Sequence, residues 1–241
     1  MVKATVLVTR PEPDAAAFAK TLREAGYAPI SCPVMTIRTS DAPLPLDGVG
    51  ALAFTSANGV RAFAARTAHR DFAVFAVGAV TADAARAAGF REVAAAGGDV
   101  DALAALIVEA ASRRPLDGDL LHIAGAHRAG ALSAALAAAG VSARRAALYE
   151  AVAADALPPE TAALLKASPP DWATFFSPRT AKLFVSLVRD AGQAAALGHI
   201  RAAAFSENVA SALENSGFRS VGAAVSPSVA AMIDLMDGKK R

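Results

Sequence analysis

Hydroxyl, amide, glycine and arginine residues recur in this chain wherever a short apolar run ends: Thr9-Arg10-Pro11, Ser56-Ala57-Asn58, Gly78, Gly125, Ser177-Pro178 and Ser206-Glu207. If the runs are parallel strands, these ends form the carboxyl edge of a sheet. There the following helices present unpaired backbone N–H groups and anions are held. Hydroxyls and glycines at such positions can receive carboxylates. Each serine also suits a plain helix N-cap, and Pro178 suits the first turn after one. Binding is therefore argued from several ends meeting at one cleft, not from any single residue.

Other chemistries lack their residues. No GxxxxGK, no GxGxxG after the first run, no HExxH and no GxSxG occurs. His122 and His127 are five apart with no third ligand at metal spacing, which reads as structural or surface histidine, and His69 and His199 say less. The acidic residues fall mostly on predicted helix faces and form no catalytic pair. Cys32 is the one cysteine, so neither an internal disulfide nor a multi-thiolate metal site is available; in ISCPVMTI it reads as a small buried hydrophobe. No metal and no cofactor are expected. Arg113-Arg114 and Arg144-Arg145 read as solvated, and Lys239–Arg241 as a frayed tail.

The elements that would carry those ends alternate between β-type and helical patterns. Strand candidates are TVLVT, APISCPV, GALAFTS, FAVFAVG, EVAA, DLLHIAG, ARRAALYE, WATFFS, IRAAAFS and VGAAVS. Between them DAAAFAKTLREAG places Phe18 and Leu22 one turn apart, and DALAALIVEAA aligns Leu103, Leu106 and Ile107. Gly26, Gly89, Gly140 and Gly217 each close such a pattern, as helix C-terminal glycines do. Alternation of this kind predicts an α/β fold with parallel sheets.

The order also repeats. FTSANGVRAF (54–63) returns as FFSPRTAKLF (175–184), and AVGAVTADAARAAGF (76–90) returns as AAFSENVASALENSGF (203–218). LVTRP with its helix up to Gly26 is echoed by LHIAG with one up to Gly140. In 241 residues this predicts two related lobes that face a cleft. The repeat alone cuts the chain near 115, whereas EAVAADALPPE after Tyr149 has the composition of a linker; these alternatives stay open at this level.

Composition narrows the partners. The hydrophobic fraction is 54% and mean hydropathy +0.37, yet alanine supplies much of it and no apolar run approaches the roughly 18 residues of a membrane span. MVKATVLVTRP lacks a secretory signal's pattern, so cytoplasmic residence is the expectation. A net charge of +2 without a Lys/Arg stripe argues against nucleic acid and suits a small anionic ligand.

Taken in order, LVTRP (7–11), FTSANGV (54–60), AVGAVTA (76–82), Gly125 to Arg128, LYE (148–150), FFSPRT (175–180) and AFSENVASAL (204–213) resemble the uroporphyrinogen-III synthase family over nearly the whole chain. The resemblance implies two similar doubly wound, flavodoxin-like lobes joined by a two-segment hinge. Carried here, lobe one is 1–35 plus 154–241, lobe two is 38–150, and 36–37 and 151–153 are linkers. It implies a cofactor-independent hydro-lyase that closes hydroxymethylbilane to uroporphyrinogen III with loss of water and inversion of ring D. The bilane closes unaided without inversion, so catalysis rests on holding one conformer and on differential transition-state binding.

By the same resemblance Tyr149 is the catalytic candidate, donating to the departing hydroxyl of ring A; a tyrosine that merely anchors a strand end is the alternative. Ser56, Asn58, Thr81, Ser177 and Ser206 are expected to offer donors to the acetates and propionates, and Arg10 and Arg128 to pair with carboxylates or to form internal salt bridges. Val209 stands where many relatives have a second threonine, and Ala124 where an arginine is frequent. The expected protein is a monomer, with transient contact to the preceding pathway enzyme left open. A cytosolic two-lobed binding or sensor protein for a small anion is the competing reading.

Overall fold

The computed structural model describes residues 2–126 and 131–239. Along the chain run β1 (Thr5–Val8), α1 (Asp14–Glu24), β2 (Ala28–Ser31), β3 (Met35–Thr39), β4 (Val49–Phe54), α2 (Ala57–Arg66), β5 (Ala73–Ala76), α3 (Ala79–Ala87) and β6 (Val93–Ala95). Then follow α4 (Val100–Arg113), β7 (Asp119–Gly125), α5 (Ala131–Ala138), β8 (Ala143–Ala153), α6 (Pro159–Ala167), β9 (Trp172–Phe175) and α7 (Pro178–Asp190). A 3-10 segment (Ala194–His199), β10 (Arg201–Ala204), α8 (Glu207–Ser211), β11 (Ser220–Ala223) and α9 (Val229–Met236) complete it.

Two compact units result, Met1–Thr36 with Val152–Arg241, and Ile37–Ala151. The first holds a sheet ordered β11-β10-β9-β1-β2 and the second a sheet ordered β3-β8-β7-β4-β5-β6. The pairings β1–β2, β1–β9, β9–β10 and β10–β11 are parallel, as are β4–β5, β5–β6, β4–β7 and β7–β8. Both points where the chain passes from one unit to the other fall inside β3 and β8, which are sheet neighbours.

Apart from β3 the two sheets share one plan. Reading β2-β1-β9-β10-β11 against β8-β7-β4-β5-β6 matches each strand with its repeat partner. The difference is where the chain enters: β1 and β2 precede their sheet-mates by more than a hundred residues, while β7 and β8 follow theirs directly. In both sheets the connections run outward in opposite directions from one central pair, β1 with β9 and β7 with β4. That pair is the topological switch point.

Burial explains the strand sequences. Trp172–Phe175 are buried at every position, as strands covered by helices on both faces must be. On one face of the first sheet α7 packs Ala181, Phe184 and Val188 with Phe175; on the other, α1 supplies Phe18 and Leu22 and α9 supplies Met232. In the second sheet α2 brings Val60 and Phe63 against Leu121 and Ile123, while α4 and α5 bring Leu103, Ile107, Leu132 and Leu136 against Leu120. Each buried Val, Leu, Ile, Met or Phe side chain among them contributes about 1.5–3 kcal/mol of burial. Val209 and Ala124 are buried too, so apolar residues there serve the core.

Several sequence readings change in detail. ISCPVMTI is two strands: the chain breaks at Cys32-Pro33-Val34, where proline has no ladder N–H, and restarts as β3. The stretch after Tyr149 continues as strand to Ala153. The helical pattern ending at Gly217 holds only to Ser211, and Asn215 at φ 56° turns the chain before Gly217 is reached. Arg144 and Arg145 are not simply solvated: Arg144 pairs with Asp119 at 2.9 Å, and Arg145 donates to the Gly125 carbonyl at 2.6 Å. Lys239 is tied to Asp234 and Asp237 at 3.2 and 3.3 Å rather than frayed.

Candidate functional site

The carboxyl edge of the second unit begins with Ser56, whose extended backbone (φ −164°, ψ 146°) and Oγ cap α2 by accepting from Asn58 N at 3.1 Å. Asn58 Oδ1 accepts from Arg61 at 2.5 Å, which leaves its amide N–H2 available to a ligand. At the next strand end Gly78 starts α3 with no side chain, and Thr81 is buried in the first turn of that helix. The Gly97-Gly98-Asp99 loop lies against it: a Cβ on Gly78 would stand 3.4 Å from Gly98 Cα, and Asp99 caps α4 by accepting from Ala102 N at 2.7 Å.

Tyr149 belongs to the same edge. It sits opposite Gly125, the last residue of β7, where a bulge shifts the register. Its ring occupies the space a side chain at 125 would need, since a Cβ there would lie 3.0 Å from Tyr149 Cε2. The residue is 6% exposed, and among the described residues no hydrogen bond reaches its phenol oxygen. Its carbonyl accepts from Ala126 N at 2.8 Å, fixing the backbone directly after β7. Arg128 lies outside the described residues.

The first unit's edge is built alike. Ser177 caps α7, accepting from Thr180 N at 3.2 Å and sharing a 2.8 Å hydrogen bond with Thr180 Oγ1. Ser206 takes the same extended backbone before α8, yet its side chain makes no cap bond. Arg10 follows β1; it pairs with Asp14 at 3.1 Å and stacks on Phe176 with Cζ 4.0 Å from the ring centroid. Phe176 in turn stacks on Phe205 at 5.0 Å. Beneath them Thr9 and Thr174 lock β1 to β9: Thr9 Oγ1 donates to the Thr174 carbonyl at 2.7 Å, and Thr174 Oγ1 to the Leu7 carbonyl at 3.0 Å.

The expected residues thus fall into two sets, Ser56, Asn58, Thr81 and Tyr149 on one edge and Arg10, Ser177 and Ser206 on the other. The sequence reading passed over Thr55 and took His122 only as a structural or surface histidine. His122 is buried in β7 beside β4, with Nε2 3.3 Å from Thr55 Oγ1; burial, and then the Arg145 cation, push its pKa down to about 4. A signal existed in the repeat, where FTS of the second unit answers FFS of the first. Elsewhere burial pushes the Cys32 thiol up to about 11, which makes it an inert core residue. Among the described residues no cluster of three His, Cys, Asp or Glu could hold a metal, and no helix is long and apolar enough to cross a membrane.

Comparison with known proteins agrees with this architecture. The family model described as uroporphyrinogen-III synthase HemD matches residues 16–234. Uroporphyrinogen-III synthetase from Helicobacter pylori 26695 superposes with a TM-score of 0.67 at 17% identity, over 100% of both chains. A mutant uroporphyrinogen III synthase from the extreme thermophile Thermus thermophilus gives 0.56 at 18% identity, over 99% of this chain and 98% of that one. No curated protein matches the chain significantly.

Proposed function

The chain belongs to the uroporphyrinogen-III synthase family, and from that premise we propose how its own residues perform the family's reaction. The reaction is the closure of hydroxymethylbilane to uroporphyrinogen III. The C–O bond of the ring A hydroxymethyl group breaks with loss of water, and the freed carbon bonds to the substituted position of ring D; the bond from that position to the neighbouring bridge then breaks and re-forms at ring D's free position, which gives up its proton and leaves the ring inverted. The protein is a cyclising lyase acting on a small molecule. No step requires a strong nucleophile, which accords with edges built from hydroxyls, amides and helix starts.

Tyr149 protonates or hydrogen-bonds the departing hydroxyl, and the proton is balanced by the one ring D gives up on regaining aromaticity. The observation that supports this is the phenol at the carboxyl edge, backed by the bare Gly125 and without a hydrogen-bond partner among the described residues. Ser56, Asn58, Thr81, Ser177 and Ser206 donate to acetates and propionates through side chains or adjacent backbone. Arg10, already oriented by Asp14 and Phe176, presents its guanidinium to a carboxylate. Arg128 serves the same purpose.

The two compact units correspond in this reading to lobes of 1–35 with 154–241 and of 38–150, with linkers at 36–37 and 151–153. A monomer in the cytoplasm, in transient contact with the enzyme of the preceding step, completes the proposal. Such contact suits a substrate that closes wrongly if left alone. The test is turnover of freshly made hydroxymethylbilane with product isomers separated. Isomer III is expected, and formation of isomer I alone refutes the reading. Tyr149→Phe is expected to lower kcat about ten- to a hundredfold; unchanged kcat removes the phenol from the mechanism.

A further inference from the structure

A polar pair spans the switch point of the second unit where the first unit has an apolar one. His122 Nε2 lies 3.3 Å from Thr55 Oγ1, the ring is 4% exposed, and Nδ1 has no hydrogen-bond partner among the described residues. The ring is neutral near pH 7, so one nitrogen carries a proton and the other a lone pair. A buried N–H left without an acceptor is the rarer and costlier defect, and the Arg145 cation on the neighbouring strand, directly across from His122, favours a bare nitrogen. The proton therefore sits on Nε2 and is donated to Thr55 Oγ1. With its oxygen engaged as acceptor, the Thr55 hydroxyl keeps its own proton to give away. It is half-buried, directly after β4 and directly before the Ser56 cap.

The twin sheet shows that the fold does not need this pair. His122 stands opposite Ala53 in the second sheet as Val8 stands opposite Thr174 in the first, and Ala53 and Thr174 are repeat partners. Val8 is thus the counterpart of His122, and Phe176 that of Thr55. Both are apolar members of one core cluster. The same place is filled there without an imidazole nitrogen buried and unsatisfied, so the cost borne in the second unit calls for another purpose. Its position, at the crevice where doubly wound sheets bind ligands, supplies one.

We propose that His122 is a positioning residue that fixes the Thr55 hydroxyl as a hydrogen-bond donor to a substrate carboxylate at the second unit's switch point. This rests on the reaction assigned above. Thr55→Val removes the donor and should raise KM about tenfold with kcat little changed. His122→Asn withdraws the ring's contact with Thr55 and should do the same, whereas His122→Gln restores an amide donor at the Nε2 position and should stay within about twofold of the parent. The Thr55→Val/His122→Asn double variant should be no worse than Thr55→Val alone. Nitrogen NMR of the unaltered protein at pH 7 should show the Nε2–H tautomer. Unchanged KM in Thr55→Val, multiplying effects in the double variant, or an Nδ1–H tautomer overturns the proposal. Failure of the unaltered protein to make isomer III strikes the reaction itself, so the two failures are told apart.

Discussion

Replacing His122 with glutamine should make the protein markedly less sensitive to mild acid. An unfolded histidine titrates at 6.5, and in the fold burial and Arg145 hold His122 at about 4. The unfolded chain thus binds more protons than the native one between those values, so stability is full above pH 6.5 and is lost as pH falls toward 4. Thr55 directly after β4 and Arg145 on β8 are the polar and charged neighbours, while α4 and α5 cover that face with Leu103, Ile107, Leu132 and Leu136. Integrating the linkage from pH 7.5 to pH 5 gives a loss of about 2 kcal/mol, equivalent to roughly 4–8 °C in Tm for a chain of this size. Asp171 and Asp237, whose carboxyls are held below their usual range by hydrogen bonds from Thr5 and from Lys3 and Tyr27, add their own losses only at lower pH. The assay is thermal or urea unfolding of the parent and of His122→Gln at both pH values. The variant should lack most of the parent's pH 5 deficit. Equal deficits in the two proteins refute the buried neutral histidine.

Ser177→Ala and Ser206→Ala should separate stability from binding: the first loses the α7 cap and about 1 kcal/mol of stability in urea unfolding, while the second, which caps nothing with its side chain, should leave unfolding unchanged and raise KM modestly. Gly125→Ala should force the Tyr149 ring away from a new Cβ 3.0 Å distant, costing about 1–3 kcal/mol in stability and lowering kcat more than it alters KM; kinetics and Tm measured together check it. Thr174→Val should break one of the two threonine side-chain hydrogen bonds that link β1 and β9 and lower Tm by an amount equivalent to about 1–2 kcal/mol, with product isomer distribution unchanged.

The parts of the site legible in the sequence are those set by neighbours in the chain. A serine after an apolar run caps the next helix because its Oγ reaches an N–H two or three residues on, and Ser56 and Ser177 do so at nearly the same backbone angles in both repeats. The glycines ending helical patterns were legible for the same reason, as Gly26 and Gly89 show at φ 88° and 98°. Thr55 and His122 were not, because they lie 67 residues apart and meet only when β4 and β7 pair. No periodicity marks a histidine whose ring will face a particular strand end.

From residue order alone came the α/β alternation, the doubled motif, the strand ends as candidate anion sites and the family they resemble, all of which depend on contacts within a few residues or on similarity along the chain. Tertiary structure alone decided which strands share a sheet. Thr9 and Thr174 are 165 residues apart, yet their hydrogen bonds hold β1 inside the first sheet, between β2 and β9. Sheet ladders are satisfied by any strand of compatible register, so local sequence leaves the choice of partner open until burial of both faces selects one.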